Sequence, residues 1–186
     1  MMTVESNDNN EKLFWFALSA PYRKEMEAKK LLEKNSIECF IPMRYVVINT
    51  IGGKIRKLVP AISNLVFART TKKEIQRVKT GVTFIQYKVR REKGKNVPLT
   101  VPEHEMQQFI TVCSAAVEDI EFLSPDELNI KKGTPVRIIG GTFDGVEGVF
   151  IKLKGKRKKH VVVMIDTLAA VAVAEINPDF IQVIKD

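Results

Sequence analysis

The densest chemistry in the sequence is the run Lys152, Lys154, Lys156, Arg157, Lys158 and Lys159, six cations within eight residues around Gly155. It reads as a hairpin tip. Ammonium and guanidinium groups in such a cluster add salt-dependent affinity for a phosphate backbone without reading bases. A solvated, solubilising loop has the same composition. A second basic group, Tyr22, Arg23 and Lys24, precedes a stretch of helix-forming residues, where the helix dipole disfavours positive charge. The groups needed for catalysis or metal binding do not occur in combination. His104 and His160 are isolated and read as surface residues, and Cys39 and Cys113 lie far apart without metal-ligand spacing or a Cys-x-x-Cys pair. With no nucleophile and base at a recognisable spacing, the sequence predicts no enzyme, no metal site and no cofactor.

Bulk properties point to polyanionic partners. The net charge is +8, from 30 basic and 22 acidic residues. Residues 131–186 carry 10 basic and 6 acidic residues, so they hold +4 and the remainder holds the other +4. Two unpaired cysteines fit a reducing compartment. Met1 to Asn10 is polar, lacks the layout of a signal peptide, and is expected to be disordered through residue 11. No apolar run approaches membrane-spanning length. A cytoplasmic monomer with no membrane association is expected.

The elements that must carry these groups follow from periodicity. Leu13 to Leu18 is a compact apolar run ended by Pro21, which predicts a buried strand, with Ser19 capping a following helix and Pro21 in its first turn. Tyr22 to about Lys34 predicts that amphipathic helix. Ile37 to Ile48 alternates, Gly52 and Gly53 suit a hairpin tip, and Lys54 to Val59 forms the return strand with Lys54, Arg56 and Lys57. Leu65 to Arg69 and Val82 to Val89 predict further strands, Lys72 to Lys79 a short helix, and Arg90 to Lys95 a basic turn. A helix opens at Pro102, with Met106, Phe109, Ile110 and Cys113 on its apolar face. This order implies an α+β fold, an antiparallel sheet with packed helices. Glu118 to Leu128, with five acids, predicts a linker. Short strands at Pro135–Ile139, 146–153, 160–165, 168–173 and 180–184 then suit a small all-β, SH3-like barrel.

Within that last region Val136, Ile138, Val149 and Ile151 alternate on two runs separated by a glycine-rich turn from Gly140 to Gly145. Gly148, inside the second run, suggests a bulge or a close backbone approach. The stretch from Lys132 to Leu153 resembles the KOW motif of nucleic-acid-associated and ribosomal proteins, in which Gly133, Gly145 and Gly148 would be structural. The ordered set is similar to the NusG/Spt5 family of transcription elongation factors. It comprises Trp15 and Phe16 opening a strand, Pro42-Met43, a Gly-Gly hairpin, Pro60 followed by Asn64 and Phe67, Gly81-Val82, Val101 to Met106, and the terminal KOW region. Within it, the chain looks most like the specialised NusG paralogues, the RfaH-like and Bacteroides capsule-locus antiterminators.

That resemblance implies residues 12–116 as the N-terminal domain, 117–130 as linker and 131–186 as the KOW domain. It implies docking on the clamp helices of RNA polymerase through a patch drawn from Phe16, Leu65, Phe67 and Phe84. Tyr22, Arg23 and Lys24 resemble in position a contact to non-template DNA. Lys154, Lys156, Arg157, Lys158 and Lys159 would meet nascent RNA, and Leu168 would meet ribosomal protein S10 or Rho. The sequence departs from the family at Leu65, where an aromatic residue is common, and at Ala61 to Ser63, where a Phe-Pro pair is usual. A ribosomal-protein-like RNA-binding module, with the KOW region as its active part, is the alternative.

Overall fold

The computed structural model describes residues 12–115, 120–123, 133–153, 159–165, 168–173, 176 and 178–184. In chain order the elements through residue 115 are β1 (Phe14–Ser19), α1 (Glu25–Lys34), β2 (Glu38–Phe40), β3 (Met43–Thr50), β4 (Gly53–Pro60), β5 (Val66–Thr70), α2 (Lys72–Thr80), β6 (Gln86–Tyr87), β7 (Val89–Glu92), β8 (Lys95–Pro98), β9 (Thr100–Val101) and α3 (Glu103–Ala115). Then follow β10 (Ile120–Leu123), β11 (Thr134–Ile138), β12 (Glu147–Lys152), β13 (Lys159–Ile165), β14 (Ala169–Val173) and β15 (Ile181–Val183). The fold is α+β, and its strand pairs are antiparallel. Two compact units divide the chain: Met1–Ile41 with Ser63–Glu103, and Pro42–Ile62 with His104–Asp186. The β3–β4 hairpin and nearly all of α3 thus group with the C-terminal residues rather than with residues 12–116.

In the first unit the sheet runs β2-β5-β1-β6, with β9 also paired to β1. Trp15 through Leu18 are all buried, as are Leu65 through Ala68 at β5. A strand covered on both faces has no solvent side to supply polar residues, so its sequence is a continuous apolar run rather than an alternating one. The helix α1 packs on β2 and β5. It begins at Glu25, three residues later than the sequence predicts, because Pro21 to Arg23 form a turn instead. Ser19 is the last residue of β1 and not a helix cap. The next helix, α2, is capped as a box: the Thr71 hydroxyl accepts from the Glu74 N–H at 3.2 Å, and the Glu74 carboxylate accepts from the Thr71 N–H at 3.3 Å. Val82 to Val89 is not one strand; only Gln86–Tyr87 and the start of β7 are extended. Arg90 to Lys95 belongs to the β7–β8 hairpin, whose tip residues Lys93 and Gly94 both have positive φ, 46° and 79°.

In the second unit the strand order is β10-β14-β13-β12-β11-β15. The five expected C-terminal strands are present within a residue or two of their predicted limits, and β10 adds a sixth from inside the predicted linker. Gly148 explains the tightness of the β12–β13 pairing. A Cβ there would lie 2.7 Å from the Val162 carbonyl oxygen and 2.9 Å from Cγ1 of Val161. Gly145 adopts φ 79° and donates its N–H to the Ile138 carbonyl at 2.8 Å, closing the turn. Gly133 is half-buried just before β11. His160 corrects the sequence reading: it is 8% exposed, because both faces of β13 are covered, with the consecutive Val161, Val162 and Val163 all buried. His104 is exposed, as predicted.

Gly148→Ala should lower stability by about 1–3 kcal/mol, read as a lower urea midpoint, since the clash is with backbone that cannot rotate away. Hydrogen bonds from Thr70 and Thr71 hold the Glu74 carboxyl below its ordinary value. A depressed carboxylate stabilises the fold above its unfolded pKa and loses that contribution as pH falls through the folded value. The stability gap between wild type and Glu74→Gln should therefore be widest near neutrality and close on acidification.

Candidate functional site

The β1–α1 turn gathers the most surface chemistry of the first unit. Tyr22 and Arg23 both adopt φ 60°, the left-handed region that costs a non-glycine residue roughly 1–2 kcal/mol. Two such residues in succession persist only where their flanks are fixed, and here they are. Upstream, the Ser19 hydroxyl donates to Oδ1 of Asn64 at 2.6 Å. Downstream, the buried Glu25 carboxylate accepts from the Asn64 backbone N–H, also at 2.6 Å. Asn64 itself has φ 59°, a conformation asparagine tolerates better than most residues. One asparagine thus ties the end of β1 to the first turn of α1, where a carboxylate also suits the helix dipole.

The turn held in this way projects Tyr22, 91% exposed, and Arg23 into solvent. Lys24 folds back, its ammonium 4.7 Å from the centroid of Phe84 and 3.4 Å from the Glu27 carboxylate. The sequence assigned Phe84 and Lys24 to different surfaces; the structure joins them by a cation–π contact. Nearby on the sheet, Phe16 packs against Tyr87 at 5.6 Å, and the Lys79 ammonium lies 3.5 Å from the centroid of the Tyr87 ring. Burial lowers the Lys79 pKa and raises that of Tyr87. An exposed aromatic ring beside cations can stack a base and hold its phosphate, which is the chemistry of single-strand binding.

Three of the four residues expected to contact a polymerase are corrected by burial. Phe16, Leu65 and Phe67 are 3%, 1% and 0% exposed and offer no surface to a partner. The strand alternation that would have turned half of them outward is irrelevant where both faces are covered. Phe84 is half-buried and reaches solvent. The part that Asn64, Ser19 and Glu25 play in holding the turn was missed by sequence reasoning, which read Ser19 as a helix cap and Asn64 only as part of a motif. The only signal available was an asparagine at a loop end, compatible with positive φ.

In the second unit Leu168 is half-buried and begins the turn into β14, its N–H donating to the Ile165 carbonyl at 2.9 Å. Lys154, Lys156, Arg157 and Lys158 lie outside the described residues. Lys159 starts β13 opposite Lys152, and only its backbone is described. Among the described residues, no cluster of His, Cys, Asp and Glu is arranged to hold a metal ion, and no helix is long and apolar enough to cross a membrane. Burial raises the thiol pKa of both cysteines.

Comparison with known proteins places this geometry in a family. A family model described as transcription termination factor nusG matches residues 13–110, more than half of the chain. The chain belongs to the NusG family, whose members are transcription factors of elongation and termination that interact with RNA polymerase, and not enzymes. Among solved structures it is similar to one described as "Domain interaction in Thermotoga maritima NusG", at 19% identity and a TM-score of 0.49, covering 94% of this chain and 98% of that one. No curated protein matches.

Phe67→Ala should cost about 3–5 kcal/mol in chemical denaturation, the penalty of a core cavity. Phe84→Ala should cost about 1 kcal/mol or less, since it removes chiefly the cation–π interaction with Lys24.

Proposed function

We propose that this chain is an operon-specific transcription elongation and antitermination factor that docks on RNA polymerase through its N-terminal region and suppresses pausing or termination. The observation that carries the reading is the family match over residues 13–110, which covers the sheet, α1, α2 and the Tyr22–Lys24 turn. Phe84 is the surviving member of the proposed polymerase patch, because it alone of the four aromatic and aliphatic candidates reaches solvent. Its ring, backed by Lys24, would anchor an apolar contact on the clamp helices, and Tyr22 and Arg23 beside it would engage the non-template DNA strand.

The C-terminal sheet would act as the recruiting part. Leu168 at the β13–β14 turn is the proposed contact to ribosomal protein S10 or Rho, and the basic run from Lys154 to Lys159 the proposed contact to nascent RNA. No cofactor enters this mechanism, since the work is positioning and no bond is made or broken. The protein would function as a cytoplasmic monomer.

Co-purification with RNA polymerase tests the reading. Wild type should retain polymerase, and Phe84→Asp should lose most of it while keeping its circular dichroism spectrum and melting temperature. Failure of the wild type to bind polymerase would sink the proposal. Retention by Phe84→Asp would remove Phe84 from the contact.

A further inference from the structure

The β3–β4 hairpin has a composition that neither the sheet nor the turn explains. Its strands pair through eight cross-strand rungs, from Met43 opposite Pro60 to Thr50 opposite Gly53, and among the described residues they join no other strand. At about 3.3 Å per residue the arm is roughly 26 Å long. Residues 43–60 contain Arg44, Lys54, Arg56 and Lys57 and no acid. Some cations elsewhere have carboxylate partners, as in Lys24–Glu27, Lys29–Glu33, Arg69–Glu103 and Arg137–Glu147. Among the described residues Arg44, Lys54 and Lys57 form no ion pair, while Arg56 lies 4.4 Å over the Tyr45 ring.

Register assigns these groups to faces. Val47 opposes Arg56 and Asn49 opposes Lys54 on one face; Val46 opposes Lys57 on the other, which also carries Arg44. At the tip Ile51 is fully exposed; Asn49 opposite Lys54 and then Ile48 opposite a half-exposed Ile55 follow behind it, and Tyr45, Val47 and Leu58 are exposed further along the arm. One exposed isoleucine at the tip, with cations on both faces behind it, matches a groove whose two walls are phosphate. A protein surface fits less well, since laying either face on it would bury a cation that this chain does not neutralise.

We propose that β3–β4 is an arm for duplex nucleic acid, with Ile51 wedged between base pairs from the minor groove and Lys54, Arg56 and Lys57 on the flanking phosphates. Apolar wedges of this kind unstack one base step and let the bent duplex meet more of the protein. The proposal rests on the hairpin alone and does not require polymerase docking.

The test is fluorescence anisotropy of the full chain with a short random-sequence DNA duplex across a salt series. Lys54→Gln with Lys57→Gln should reduce the slope of log affinity against log salt by about two, because each phosphate that a cation neutralises adds roughly 0.9 to it. Lys54→Arg with Lys57→Arg should restore it. Lys29→Gln with Lys30→Gln, the same charge change on α1, should leave the slope at the wild-type value. Ile51→Ser should keep the slope but abolish the fluorescence rise that wild type induces in a 2-aminopurine duplex. An unchanged slope in the hairpin variant, or an equal fall in the α1 variant, overturns the proposal. So does a hairpin variant that binds duplex normally but no longer retains RNA polymerase, which would make the arm a protein-binding element.

Discussion

Covering β1 on both faces is the constraint on which the first unit depends. Trp15, Phe16, Ala17 and Leu18 are buried, and β5 on one side with β6 and β9 on the other satisfy the strand's backbone. Even the gap between β6 and β7 is used, since Lys88 donates to Ala17 and accepts from Leu99. Fully burying one side chain of this kind stabilises the fold by roughly 1.5–3 kcal/mol, so several adjacent ones hold β1 firmly in the core. The same burial removes its side chains from the surface. Function in this unit must therefore come from the strand's ends and the turns beyond them.

The turn after β1 shows how such a rigid strand supports an irregular site. Two consecutive left-handed residues, Tyr22 and Arg23, are held between Ser19 and Glu25, both of which bond to Asn64. Asn64 leads directly into Leu65 and β5, the strand paired with β1. The strained turn is thus referenced to the core at both ends. A flexible loop of the same composition would have to order its aromatic and basic side chains on binding, at an entropic cost the preset turn avoids.

In the second unit the corresponding constraint is backbone approach. The contact between Gly148 and Val162 permits β12 and β13 to pair closely, and Val161, Val162 and Val163 form a buried strand around it. The paired β3–β4 arm stands in contrast, with its apolar and cationic side chains left in solvent.

Local chemistry was legible from the sequence alone wherever neighbours along the chain set it. The β1 run, the α2 segment, the Gly52–Gly53 hairpin and the five C-terminal strands follow from periodicity, propensity and turn residues. The ordered motifs carried the family. Even the special role of Gly148 was visible, because glycine inside a strand has few other reasons. Long-range packing decided the rest. The alternation at β5 could not reveal that both its faces would be covered, so Phe67 and Leu65 passed for a docking patch. His160 passed for a surface residue because its burial depends on what covers the faces of β13, which its sequence neighbours do not show. Phe84 met Lys24 and Asn64 met Ser19 and Glu25 only once strands distant in sequence were paired. Propensity acts over a few residues, whereas exposure is a property of everything packed around a side chain, and only the tertiary structure specifies that.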